Sequence, residues 1–125
     1  MDFISLVDDD QSVRLATVDL LESAGLACEA FDSAEAYLQS GKAKLTSCLI
    51  LDVGMPGMNG LELQQRLAGA GISIPIVFIT AFPTEESRAR AVRAGAVAFL
   101  TKPYADEELL GCIREALRGR RKKGI

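Results

Sequence analysis

Five short apolar runs, at residues 3–7, 28–31, 48–51, 76–79 and 98–100, punctuate the chain and are separated by stretches of helical periodicity. This alternation restricts the fold more than any other feature. Runs of that length are strand-sized, and a strand, a helix and a second strand in succession read as a βαβ unit with parallel strands. Right-handed crossovers then narrow the topology. The predicted class is α/β, a three-layer sandwich of one five-stranded parallel sheet and five helices. Strands rich in Ile, Leu and Val suit a sheet covered by helices on both faces. Periodicity alone leaves the strand order open.

The helical stretches carry start and stop signals. Val13, Ala16, Leu20, Leu21 and Ala24 share one face of the first, with Gly25 as its stop. Asp32 and Glu35 have capping-box spacing at the start of the second. The third runs from about Gly60 to Leu67, with Leu61, Leu63 and Leu67 inward and Gly69 and Gly71 at its exit. Thr84 opens the fourth and Gly95 closes it, while Asp106 caps a fifth whose stripe is Leu109, Leu110, Ile113 and Leu117.

At 125 residues and 49% hydrophobic, the chain can build one core without disulfide or metal staples. Its net charge of −3 gives no nucleic-acid-binding signature, and no apolar run approaches membrane-spanning length. Arg118, Arg120, Arg121, Lys122 and Lys123 crowd the C-terminus. They read first as a cationic helix end running into a solvated linker, and second as an electrostatic contact surface. Residues 1–118 are therefore assigned to the domain and 119–125 to a basic tail or the start of a linker. Cys28, Cys48 and Cys112 lack ligand-like spacing and read as free, mostly buried thiols. With no signal-peptide pattern, a cytoplasmic protein is expected.

Polar residues follow four of the five apolar runs: Asp8, Asp9 and Asp10, then Asp52, then Thr80, then Lys102 with Pro103. In a parallel sheet these strand ends lie along one edge, where ligands of open α/β folds bind. Singly, each has an ordinary explanation. The aspartates of the first group can cap a helix, Asp52 can form a turn, and Lys102 can be a solvated loop residue. Together they describe a site. Three clustered carboxylates repel one another unless a cation intervenes, and Mg²⁺ or Mn²⁺ favours such oxygen ligands. Lys102 adds a second positive charge, so an anion can sit beside a nucleophilic carboxylate. That chemistry is phosphoryl transfer to Asp52, with Thr80 available to a phosphoryl oxygen.

The segments 3–10 (FISLVDDD), 49–60 (LILDVGMPGMNG), 78–81 (FITA) and 99–104 (FLTKPY) occur in the order and spacing of the response-regulator receiver family, which residues 3–118 resemble. Segment 81–102 is most similar to receivers of nitrogen-fixation transcriptional regulators. The resemblance implies a flavodoxin-like sheet of order 2-1-3-4-5. It further implies Asp52 as phosphoacceptor, Asp9 as a direct metal ligand, Asp8 as a ligand through water, and the Gly54 carbonyl as the third protein ligand. Lys102 would contact the phosphoryl group, before a cis peptide at Pro103, and Thr80 and Phe99 would form the switch. A sensor histidine kinase would be the donor. A homodimer through the face of the fourth helix, fifth strand and fifth helix would form on phosphorylation, without direct nucleic-acid binding or membrane attachment. The implied role is a switch rather than a turnover enzyme, with only self-phosphorylation from a donor and slow autodephosphorylation. The chain has no histidine and so cannot itself be a phosphohistidine relay.

Three positions depart from the family pattern. Gly54 leaves out a side chain two residues after Asp52, Phe82 is bulky enough to shield or crowd the site, and Asp10 adds an acid that suits an N-cap. Arg88, Arg90 and Arg93 read as a solvated face or a partner contact, and Met55 and Met58 as packing residues. The competing functions are an aspartyl-phosphate phosphohydrolase, a flavin or nucleotide binder, and a receiver-like module that is never phosphorylated. The first lacks a DxDx[TV] loop, the second a Gly-rich phosphate loop after the first strand, and the third is disfavoured by the complete acid, threonine and lysine set.

Overall fold

The computed structural model describes the backbone of residues 1–123 and the side chains of residues 1–119. Strands β1 (Phe3–Val7), β2 (Ala27–Phe31), β3 (Cys48–Asp52), β4 (Ile76–Thr80) and β5 (Ala98–Thr101) alternate with helices α1 (Gln11–Ser23), α2 (Ala34–Ser40), α3 (Gly60–Gly69), α4 (Glu85–Arg93) and α5 (Asp106–Lys123). All pairings are parallel and the order is β2-β1-β3-β4-β5. The strands thus fall where the apolar runs placed them, within a residue at each end. A 3-10 turn at Lys42–Leu45 was not foreseen.

Side chains alternate between two apolar layers, as the pleat requires. On one face Ile4, Leu6, Cys48, Ile50, Val77 and Ile79 pack under Leu21 of α1 and Leu109, Leu110, Ile113 and Leu117 of α5. On the other, Val7, Leu49, Leu51, Ile76 and Phe78 meet Tyr37 of α2, Leu61, Leu63 and Leu67 of α3, and Ala91 of α4. Full burial on both faces holds for β3 and β4, whereas the edge strands β2 and β5 are partly exposed because each has only one neighbour. A buried polar chain ties the second layer to β1. Thr46 Oγ1 lies 2.7 Å from both Ser5 Oγ and Tyr37 Oη, and donates to Lys42 O at 2.8 Å.

Several expectations about helix ends are corrected. Ala16 and Ala24 are exposed. The buried side of α1 is instead carried by Thr17 and Leu21, with Val13 and Leu20 packed at its margin. Ser33, not Asp32, caps α2 by accepting from Ala36 N at 3.0 Å, and Glu35 bonds elsewhere. Asp106 is the first residue of α5 rather than its cap; Ala105 accepts the first helical amides, and Asp106 joins Glu107 and Glu108 in an acidic first turn that the helix dipole favours. Asn59 and Thr84 do cap α3 and α4. The backbone of α5 continues past 118 to Lys123, so the assigned tail begins as helix. The side chains of Arg120, Arg121, Lys122 and Lys123, and residues 124–125, lie outside the described residues, as do the two readings of the tail.

Gly60 opens α3 directly against the strand end that carries Asp52. A Cβ there would collide with the Asp52 carbonyl oxygen and come within 3.1 Å of Leu51 Cγ. Gly60→Ala is therefore expected to lower the unfolding free energy by about 2 kcal/mol or more, because a rigid strand has no room to yield. Urea unfolding followed by circular dichroism measures this, and an unchanged midpoint would show that α3 can move away from β3.

Candidate functional site

Strand register brings the acids together. Leu6 pairs with Ile50 and Val7 with Leu51, so the next step along both strands sets Asp8 beside Asp52 on the α1–α5 side of the sheet. Both are buried, at 0% and 5% exposure, while Asp9 is exposed. One carboxylate oxygen from each of Asp8, Asp9 and Asp52 lies within 4.8 Å of the others.

Asp8 is held from every side. Its Oδ1 accepts from Asp10 N at 2.9 Å, its Oδ2 from Lys102 Nζ at 2.8 Å, and its carbonyl from Arg14 Nη1 at 2.9 Å. Lys102 Nζ also lies 3.8 Å from Asp52 Oδ1, which accepts from Gly54 N at 3.3 Å. Asp10 serves as the α1 cap, accepting from Ser12 N at 2.9 Å and Val13 N at 3.4 Å. The hydrogen bonds from Ser12 hold its carboxyl below the usual value.

The electrostatics follow from this packing. Burial, and then the neighbouring Asp8 charge, push the Asp52 carboxyl up to about 6, against the opposing pull of Lys102. Burial works to lower Lys102, but its hydrogen bond to Asp8 and the charges of Asp52 and Asp8 outweigh that and hold it above its ordinary value. Three carboxylates against one ammonium leave the cluster short of positive charge, so the donor set fits a hard divalent cation bound through oxygen.

Thr80 and Phe99, the expected switch pair, lie on the other face. Thr80 ends β4 with its side chain on the α2–α4 side, and its hydroxyl accepts from Phe82 N at 3.1 Å. Phe99 pairs with Phe78 and is packed against the same apolar layer. The Arg88 guanidinium sits 4.7 Å from its ring centroid, a cation–π contact that the reading of α4 as a solvated basic face missed. The Lys102–Pro103 peptide is cis, as expected. Phe82, expected to shield or crowd the site, does not cover it: its amide is tied to Thr80 and the residue is 88% exposed. A Cβ at Gly54 would meet nothing within 4 Å, so the space beside Asp52 is open. Met55 is buried as a packing residue. Of the cysteines, all free, only Cys48 is buried; burial pushes its thiol up to about 12, which leaves it inert.

Residues 4–114 match the family model described as the response regulator receiver domain. The chain belongs to this family. The receiver is 45% identical over 115 residues to the response regulator protein TodT of Pseudomonas putida, an alignment covering 92% of the chain and 51% of that protein. It thus spans about half the length of the curated relatives it matches. The structure of response regulator StyR superposes with a TM-score of 0.88 at 42% identity, covering 98% of this chain and 62% of that one. FixJ-N superposes at 0.85 and 32% identity, covering 94% of each chain, which agrees with the resemblance to nitrogen-fixation regulators. Among the described residues no helix is long and apolar enough to cross a membrane.

A carboxyl with a raised value binds its proton more tightly in the folded state, so its ionisation works against folding. For metal-free receiver, stability should fall as pH rises from about 4 through about 6, as Asp52 ionises beside Asp8. Asp52→Asn should be more stable than wild type by about 1–3 kcal/mol at pH 7.5, a gap that closes below pH 4. Thermal unfolding in chelator at several pH values tests this, and a gap independent of pH would assign the effect to packing.

Proposed function

We propose that this receiver is phosphorylated on Asp52 by the phosphohistidine of a sensor kinase, and that the acyl phosphate switches the α4–β5–α5 face. The observation that carries this reading is the placement of Lys102 Nζ between Asp8 and Asp52, 2.8 Å from one and 3.8 Å from the other. That ammonium is positioned to move its attention from Asp52 to a phosphoryl oxygen without leaving Asp8.

In the proposed step an Asp52 carboxylate oxygen attacks phosphorus in line. The bond from phosphorus to the donor imidazole breaks, and the imidazole nitrogen keeps the electron pair. Lys102 and the backbone amides after Asp52 receive the charge that remains on the phosphoryl oxygens. Asp9, Asp52 and the Gly54 carbonyl would hold Mg²⁺ or Mn²⁺ directly and Asp8 through water. That division is supported by the occupation of both Asp8 oxygens by Asp10 N and Lys102, while Asp9 stands exposed. When bound, the cation supplies charge neutralisation for the acids and for the transferred group.

The new charge at Asp52 would draw the Thr80 hydroxyl from Phe82 N, and Phe99 would bury further in the space released on their shared face. Homodimers through the α4–β5–α5 face would follow. The receiver then acts as a switch in the cytoplasm, where free thiols persist, rather than as a turnover enzyme.

Intact-mass spectrometry after incubation with Mg²⁺ and a small phosphodonor tests the acceptor. One phosphoryl group should add to wild type and none to Asp52→Ala or to chelated protein. With no histidine in the chain, an adduct cannot be a phosphohistidine. Lys102→Ala should take up the group at least about tenfold more slowly, since a charged donor to the transferring oxygens is lost. An adduct that survives in Asp52→Ala would overturn the assignment.

A further inference from the structure

We propose that Glu35 is a positioning residue for the cation site, acting through the loop that leads from β3 to α3. The inference rests on the function proposed above. That loop leaves Asp52, contains the Gly54 carbonyl and ends at the Asn59 cap. Its ends are well held: Val53 N donates to Ile79 O at 3.0 Å, Gly60 N to Val53 O at 3.1 Å, and Asn59 and Glu62 form a reciprocal capping box. Met55 anchors its first half in the core.

The second half is reached from another element. Glu35 Oε2, in the first turn of α2, accepts from Met58 N at 3.2 Å across 23 residues of sequence. The adjoining Gly57 has φ +70°, and a Cβ on it would lie 3.1 Å from the same Oε2. The carboxylate therefore lies against the loop in the space a side chain at 57 would need. A glutamate so early in a helix commonly turns back to its own cap. Here Ser33 has taken the cap, and Glu35 reaches across to the loop instead. Its mount is firm, because Ala34 and Tyr37 on either side of it are fully buried.

Gly54 is exposed and without a side chain; its N–H donates to Asp52 Oδ1 at 3.3 Å, and the buried Met55 holds the position after it. The Glu35 contact at Met58 is thus the outer support of the segment that presents the Gly54 carbonyl. Outer contacts that aim a ligand usually change metal affinity about 10- to 100-fold when lost. This bond is exposed to solvent, so a smaller effect, about three- to tenfold, is expected.

The test is a Mg²⁺ titration of unphosphorylated wild type, Glu35→Ala and Glu35→Gln, followed by backbone amide NMR, with hydrogen exchange measured at Met58. Glu35→Ala should raise the Mg²⁺ Kd about three- to tenfold and speed exchange at Met58, with an unfolding midpoint close to wild type. Glu35→Gln keeps a carbonyl acceptor and should recover most of the affinity. Wild-type affinity in Glu35→Ala, or no recovery in Glu35→Gln, overturns the positioning role alone. A wild type that binds no Mg²⁺ overturns the proposed function and this inference with it.

Discussion

The packing of two buried carboxylates side by side is the constraint from which the rest of the site follows. Nothing local to Asp8 or Asp52 requires them to meet. They meet because the apolar residues of β1 and β3 must face both helical layers, and the register that satisfies Leu6 against Ile50 also sets Asp8 against Asp52. The core thus imposes an electrostatic conflict at its own edge. Lys102 relieves part of it, and the buried geometry makes that relief specific: the ammonium has one short partner in Asp8 and a longer one in Asp52. Pairing Lys102 first with Asp8 leaves Asp52 the less compensated acid. That residual imbalance is the physical basis for proposing Asp52, rather than Asp8, as the acceptor.

The same pleat separates the acid cluster from Thr80 and Phe99. Asp8 and Asp52 continue the residues that pack under α1 and α5, whereas Thr80 and Phe99 continue those that pack under α2, α3 and α4. A charge placed at Asp52 can reach the second face only around the strand ends, and Thr80 stands there as the last residue of β4. Its hydroxyl already accepts from the Phe82 amide, so any inward movement exchanges one hydrogen bond for another rather than creating one from nothing. Arg88 over Phe99 adds weight to the present placement of the ring, since it loses its aromatic partner if the ring turns away.

What could be read from the sequence divides along the same physical line. The strands and the Asp8, Asp52 and Lys102 convergence were readable because hydrophobic period and strand-end position are encoded in consecutive residues. The burial of individual α1 residues was less so: Ala16 is small enough to sit on either side of a helix, and Thr17, which hydrogen-bonds Tyr104, turns inward instead. The error at α2 has a cause in local chemistry. Asp32 and Ser33 are both good caps, and the spacing to Glu35 favoured Asp32, but Glu35 was claimed by a loop far away in sequence. Arg88 over Phe99 was likewise invisible, since a cation on an exposed helix face gives no local sign of an aromatic beneath it. Contacts between elements, where partner choice depends on three-dimensional register, are the part that periodicity does not contain.

Access to Asp52 raises a last consequence of the architecture. The carboxylate is buried by its neighbours in the sheet and yet open on the loop side, because Gly54 contributes no side chain and the Phe82 ring points to solvent. Neither position screens Asp52. In the proposed transfer, selection of the donor over water therefore cannot rest on these two positions. It would rest instead on groups acting on the phosphoryl oxygens, of which Lys102 already lies 3.8 Å from Asp52. The Gly54 amide and the Lys102 ammonium hold Asp52 from inside, at 3.3 and 3.8 Å, and the proposed donor would approach from the loop side.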